Sequence, residues 1–149
     1  MEKDFNEMVE RLLEAPYWVI DMLPHQVPQE SGGQFFAVEK YYLDAPQHEL
    51  LYRRFADVLL KLNCYHDLVV NCAPSDKWVK NPLPEKLCSW LTKSLRHGHL
   101  CILLDDEDAL ITASSGDCYL TLYNPSQALL QLVRPLVAAS GLFLWQPPE

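Results

Sequence analysis

The chain has 149 residues, the usual size of one domain and enough to bury a substantial core. Apolar residues make up 49% of it and charged residues 21%, a composition that predicts a folded protein and excludes a disordered one. The net charge of −8 opposes contact with nucleic-acid backbone or anionic lipid, so we expect neither nucleic acid nor membrane as a partner.

This charge is distributed unevenly. Residues 1–75 hold 12 acidic and 6 basic side chains, a net charge of −6. Residues 76–99 hold 2 acids and 5 bases, a net charge of +3, and residues 100–149 hold 6 acids and 1 base, a net charge of −5. If these segments lie on different faces, the acidic face should attract a basic protein partner in a salt-dependent way.

The N-terminus and the cysteines indicate the compartment. The first residues are acidic and interrupted by charge, whereas a secretory signal needs a basic start and an unbroken apolar stretch. No apolar run approaches the roughly 20 residues that span a bilayer. The five cysteines are odd in number and scattered in spacing, so we expect a cytoplasmic protein with reduced thiols.

The first half of the chain predicts two helices and three strands. Apolar residues at helical spacing from Phe5 to Leu13 form one stripe, and Pro16 ends that helix. A second helix is predicted over 44–63, with Pro46 in its first turn. Runs rich in β-branched, aromatic or other apolar residues predict the strands, which are 17–23, 35–43 and 66–73.

The second half predicts an irregular loop, two helices and four strands. Three prolines assign 74–84 to the loop, and a helix follows at 85–97. Three short strands separated by polar gaps predict a meander, at 99–104, 109–113 and 118–123. Asn124 fits the N-cap of the last helix, Gly141 its end, and 142–145 a final strand.

The order αββαβαβββαβ predicts an α+β fold. Consecutive hairpins favour a mixed or mostly antiparallel sheet with helices packed on it, in a single domain over residues 1–149. The tail 146–149 is expected to be loose. An uncovered strand edge in such a sheet would allow two copies to pair as a homodimer.

The densest charge is a run of four acids between two predicted strands. Aspartate favours turns, and charge at a hairpin tip discourages aggregation. Four consecutive acids on a hairpin cannot all point at one ion, and the run lacks the spacing and the glycine of an EF-hand. We interpret it as a turn with a partner-binding patch and no metal ligand; its residues are Asp105, Asp106, Glu107 and Asp108.

A tryptophan between two lysines marks the loop at 75–82. Trp78, flanked by Lys77 and Lys80, is typical of an anchor for a ligand or partner, and we take these three residues as partner-binding candidates. The alternative is that Trp78 folds back over the core with its N–H bonded to a carbonyl.

The sequence contains no motif that defines a reaction. His97, His99 and Cys101 alternate as ligands on one strand would, but Gly98 separates a helix from a strand and directs them apart. We therefore predict no catalytic residue, no metal and no cofactor, and favour a small acidic interaction or regulatory domain that binds a basic protein. The alternative is a small enzyme or ligand-binding domain whose pocket is assembled from distant residues, for instance His25, His66, Asp67 and Cys72.

Overall fold

The computed structural model describes residues 4–44 and 46–148. Helices and strands within these residues, in chain order, are α1 (Phe5–Leu12), β1 (Tyr17–Asp21), α2 (Phe35–Leu43), α3 (Gln47–Leu62), β2 (Val69–Cys72), β3 (Val79–Lys80), α4 (Pro84–Arg96), β4 (His99–Leu104), β5 (Ala109–Ser114), β6 (Tyr119–Tyr123), α5 (Gln127–Ala139) and β7 (Phe143–Trp145). None of the helices in these residues has the length and apolar character needed to cross a membrane. Glu149, the end of the predicted tail, lies outside them.

The seven strands form one antiparallel sheet in the order β3-β2-β4-β5-β6-β1-β7. The predicted α+β class is confirmed, and so is the meander of β4, β5 and β6. Beyond the meander, β1 pairs with β6, and β7 pairs with the other side of β1. Strands from both ends of the chain therefore lie side by side at one end of the sheet.

Helices cover the two faces of the sheet unequally. One face carries the main core, in which α3, α4 and α5 pack on alternate strand residues such as Ile20, Ile102 and Leu122. The other face carries a smaller cluster, in which Leu12 of α1 contacts a patch formed by Val69, Cys101, Leu103 and Leu110. Because α1 has only eight residues, it covers β4 and β5 and leaves the β6-β1-β7 end of this face open.

Residues 35–43 form helix α2, so their prediction as a strand was wrong. A short apolar run does not distinguish a strand from a buried helix turn by periodicity. The helix permits an i,i+4 ion pair between Lys40 and Asp44, with Nζ and Oδ2 2.8 Å apart. It also packs against α3, which turns Tyr42 and Leu43 toward the main core and leaves Phe36 exposed.

Two local predictions need correction. The last helix is capped by Ser126, whose hydroxyl accepts a hydrogen bond from the backbone N–H of Leu129, so Asn124 is not its N-cap. Asn124 instead has a left-handed backbone, and its amide donates to the carbonyl of Asp108. Loop 74–84 is not wholly irregular, because it contains the edge strand β3.

Candidate functional site

The uncovered end of the sheet forms a pocket of about 530 Å³. Strand residues that alternate on one face supply its floor, since successive side chains of a strand point to opposite faces. The register aligns them across β6, β1 and β7: Tyr17 with Tyr123, Val19 with Thr121 and Trp145, and Asp21 with Tyr119. Tyr123 also contacts the cluster under α1, so the pocket directly adjoins that helix.

Two other segments form the wall of the pocket. The loop after β1 contributes His25, and α2 contributes Phe35 and Glu39. The carbonyl of Gln26 lies 3.2 Å from Nδ1 of His25. Glu39 reaches the pocket because residues 35–43 form a helix and not the predicted strand.

Asp21 is the central polar group of the pocket. Its Oδ2 accepts a hydrogen bond from Nε1 of Trp145 at 3.3 Å, and its Oδ1 accepts one from the backbone N–H of Leu23 at 3.3 Å. Burial raises the pKa of Asp21 above its ordinary value, and the nearby charge of Glu39 raises it slightly further. The pocket therefore holds two carboxyl groups whose mutual repulsion a cation would relieve.

The charge of the pocket is one-sided. Among the described residues that line it, there is no lysine or arginine, while Asp21 and Glu39 are both acidic. The rings of Tyr17 and Tyr123 lie 5.7 Å apart between centroids, and Trp145 lies beside Asp21. Aromatic faces beside carboxylates form a suitable surface for a cation.

Burial raises the pKa values of three further side chains that line the pocket, Cys118, Tyr119 and Tyr123. Burial raises the pKa of the Cys118 thiol to about 12, so this cysteine is not the thiolate that nucleophilic catalysis requires. Burial also raises the pKa values of Tyr119 and Tyr123. These side chains offer hydroxyl groups and ring faces rather than charge.

The acids of the turn contact two different partners within the chain, Arg11 and His66. The turn joins β4 to β5 through a short 3-10 segment, Asp105–Glu107, and a left-handed Asp108. Asp108 makes a bidentate ion pair with Arg11 of α1, in which its two carboxylate oxygens lie 2.5 and 3.1 Å from the guanidinium nitrogens. Asp106 and Glu107 approach His66 from the other side. Three acids of the predicted patch thus already have partners within the chain.

Trp78 lies against α1 rather than projecting from the loop. Its ring contacts Phe5 at 5.5 Å between centroids, and Nε1 donates to the amide oxygen of Asn6 at 3.3 Å. Lys80 lies 3.5 Å from Asp67 between Nζ and Oδ2. The backbone carbonyl of Lys77 accepts from Asn71. Trp78 thus packs on the smaller cluster beside α1, and a partner-binding role for Lys77, Trp78 and Lys80 stays a prediction.

The distant residues named for an assembled pocket do not meet. His25 lines the pocket, but His66 faces the acidic turn and Asp67 bonds to Asn81. The sulfur of Cys72 lies 3.7 Å from the hydroxyl of Ser94. Nδ1 of His99 lies 2.7 Å from Oγ of Ser114, and among the described residues His97, His99 and Cys101 do not form a group of ligand atoms that could hold a metal ion.

Sequence reasoning missed the pocket, although one signal was present. In the strand "YWVID", Asp21 shares a face with Tyr17 and Val19, which is unusual for an acid in an apolar strand. Glu39 and Trp145 carried no comparable signal, because their positions depend on α2 and on the pairing of β7.

Comparisons with known proteins identify no relative: no family model matches the chain, and neither the curated proteins nor the solved structures include a significant match.

Proposed function

We propose that this chain is a non-enzymatic interaction domain that binds a basic segment of a partner protein. A cationic side chain of the partner enters the pocket and lies between the carboxyl groups of Asp21 and Glu39 and the neighbouring aromatic rings. The observation that carries this proposal is the acidic and aromatic lining of the pocket, which has no lysine or arginine among its described residues.

The charge of the whole chain supports the same partner. A net charge of −8 attracts a basic protein over long range and accelerates its association at low salt. The same field disfavours duplex DNA. The partner is therefore selected first by long-range charge and then by the fit of one cation to the pocket.

A binding role fits the pocket better than an enzymatic one. Acid–base chemistry needs groups that meet around a reacting atom, and the proposed His25, His66, Asp67 and Cys72 set is dispersed. Asp21 already accepts two hydrogen bonds, an arrangement that holds a carboxylate in place to receive a cation. The edge strands β3 and β7 have two and three residues, so a homodimer through a strand edge would gain few backbone hydrogen bonds.

The proposal can be tested with matched peptide ligands. Acetyl-Gly-Arg-Gly-amide and its citrulline counterpart differ by the positive charge of one side chain. Titration followed by NMR should shift the indole N–H of Trp145 with the arginine peptide and leave it in place with the citrulline peptide. Raising the salt from about 50 to about 300 mM should weaken binding, because the Debye length falls from roughly 14 to 6 Å.

Two variants locate the binding. Asp21→Asn removes the charge but keeps the size of the side chain, and we expect about tenfold weaker binding, since a lost charge-assisted hydrogen bond is worth roughly 1.5 kcal/mol. Asp57→Asn removes one partly exposed acid from α3, outside the pocket, and should change the affinity by less than about twofold. Equal affinity for both peptides, or equal weakening by both variants, would contradict the proposal.

A further inference from the structure

Three side chains of the types that ligate metal ions lie close together away from the pocket, at the acidic turn. His66 follows the end of α3, while Asp106 and Glu107 belong to the segment between β4 and β5. Nδ1 of His66 lies 3.2 Å from Oδ2 of Asp106 and 3.8 Å from Oε1 of Glu107. One ligand atom from each of the three residues lies within 4.8 Å of the other two. Residues 40 positions apart in sequence thus converge on one point.

These separations match those between neighbouring ligands of a bound cation. A first-row divalent ion holds nitrogen and oxygen ligands at about 2.0–2.2 Å, which places adjacent ligands of a tetrahedral shell roughly 3.4 Å apart. The distances from His66 to the two carboxylates lie on either side of that value. An ion bound by His66 and either carboxylate would therefore need only small movements of the two side chains involved.

Two of the three residues are held in place by bonds outside the group. The second carboxylate oxygen of Glu107 accepts a hydrogen bond from the hydroxyl of Ser126 at 3.2 Å. The backbone of His66 is fixed to the end of α3, because its N–H donates to Leu62 and its carbonyl accepts from the side chain of Asn63. Partners that orient a ligand in this way strengthen metal sites.

The exposure of the group allows water to complete a coordination shell. The His66 side chain is 14% exposed, whereas that of Asp106 is 59% exposed. Two neighbouring acids pair with bases, since Asp108 pairs with Arg11 and Asp67 pairs with Lys80. In the described part of the chain, the ion pairs of Asp106 and Glu107 both lead to His66, and neither acid pairs with a lysine or arginine there.

We propose that His66, Asp106 and Glu107 bind one hydrated first-row divalent cation. This proposal revises the sequence prediction of no metal ligand at the turn. The acids alone do not show this site in the sequence, because the third ligand comes from the segment that follows α3. The ion lies at the surface, so it adds to a fold that the main core already stabilises.

Mn²⁺ is a suitable probe, because it is paramagnetic and prefers oxygen and nitrogen to the thiols of this chain. In a two-dimensional amide NMR spectrum, Mn²⁺ should broaden signals around His66, Asp106, Glu107 and Ser126 first. His66→Gln should weaken Mn²⁺ binding at least tenfold. Asp105→Asn is the matched control, because it removes one negative charge from the same turn without removing a proposed ligand, and it should change the affinity by less than about twofold.

The variants also discriminate a site from diffuse attraction. Equal weakening by His66→Gln and Asp105→Asn would show that acids of the turn merely concentrate cations, which overturns the proposal. If the amide signals around His66 do not broaden at about 1 mM Mn²⁺, the group is only an ion pair between His66 and Asp106, and the proposal is overturned as well. If His66→Gln fails to fold, Glu107→Gln replaces it, and at least a tenfold loss is again required.

Discussion

Leu12 and Leu13 are neighbours in sequence, but one is buried and the other is exposed. Leu12 is 0% exposed and lies in the small cluster between α1 and the sheet, whereas Leu13 is 44% exposed at the rim of the pocket. Alanine substitution at the two positions therefore tests whether α1 is an integral part of the fold. The pair is matched in residue type and differs only in burial.

The expected cost of Leu12→Ala follows from burial. The substitution removes three side-chain carbon groups of leucine from the core, which costs about 2.4 kcal/mol at roughly 0.8 kcal/mol per group. The cavity left behind adds to this, and measured Leu→Ala costs extend from about 2.7 to 5 kcal/mol. The cluster is thin and can relax, so we expect a value near the lower end, about 3 kcal/mol. At roughly 3 °C per kcal/mol for a chain of this size, Tm falls by about 9 °C. Leu13→Ala should cost less than about 1 kcal/mol.

Urea unfolding measures both variants. Far-UV circular dichroism reports the whole fold, and tryptophan fluorescence includes Trp78, which contacts Phe5 of α1. The two transitions should coincide if α1 unfolds with the rest. A cost below about 1 kcal/mol for Leu12→Ala, or an equal cost for Leu13→Ala, would refute this reasoning. An early fluorescence change in Leu12→Ala would show that α1 detaches by itself.

Four further predictions concern metal, the turn and pH. Thermal melts with and without excess chelator should agree within about 3 °C, because the main core is apolar, and a drop of more than about 10 °C would show that folding depends on metal. The double substitution Asp106→Asn with Glu107→Gln should change the free energy of unfolding by no more than about 1 kcal/mol in metal-free buffer, as for other exposed ion pairs; denaturant titration checks this. Arg11 lowers the pKa of Asp108. The Asp108 carboxylate therefore stabilises the fold above its unfolded pKa of about 3.9, and this contribution is lost as the pH falls through the lower folded pKa. Arg11→Gln should therefore reduce the loss of stability between about pH 5 and pH 2. Burial raises the pKa of Asp21, so its effect on stability has the opposite pH dependence to that of Asp108. The stabilising contribution of Asp21 is present below about pH 3.9 and is lost as the pH rises through the folded pKa. As the pH rises from about 3.9 through the folded pKa, Asp21→Asn should accordingly gain stability relative to the unsubstituted chain. A difference in free energy of unfolding that does not change with pH would contradict the burial of this carboxyl group.

The sequence by itself determined the elements with strong local signals. The apolar stripe of α1, the long helix α3 and the polar gaps of the β4-β5-β6 meander are patterns of neighbouring residues, and each corresponds to an element of the structure. The α+β class follows from their order. Local patterns were insufficient at 35–43, where aromatic residues suit a strand or a helix and packing against α3 decided the outcome.

Tertiary structure alone decided both candidate sites. The pocket exists because β1 and β7, from opposite ends of the chain, pair with each other beyond the reach of α1, which places Trp145 beside Asp21. The His66 group exists because the segment after α3 meets a turn 40 residues later. Such contacts depend on strand pairing and helix packing between distant segments, and no periodicity or spacing within a segment encodes them.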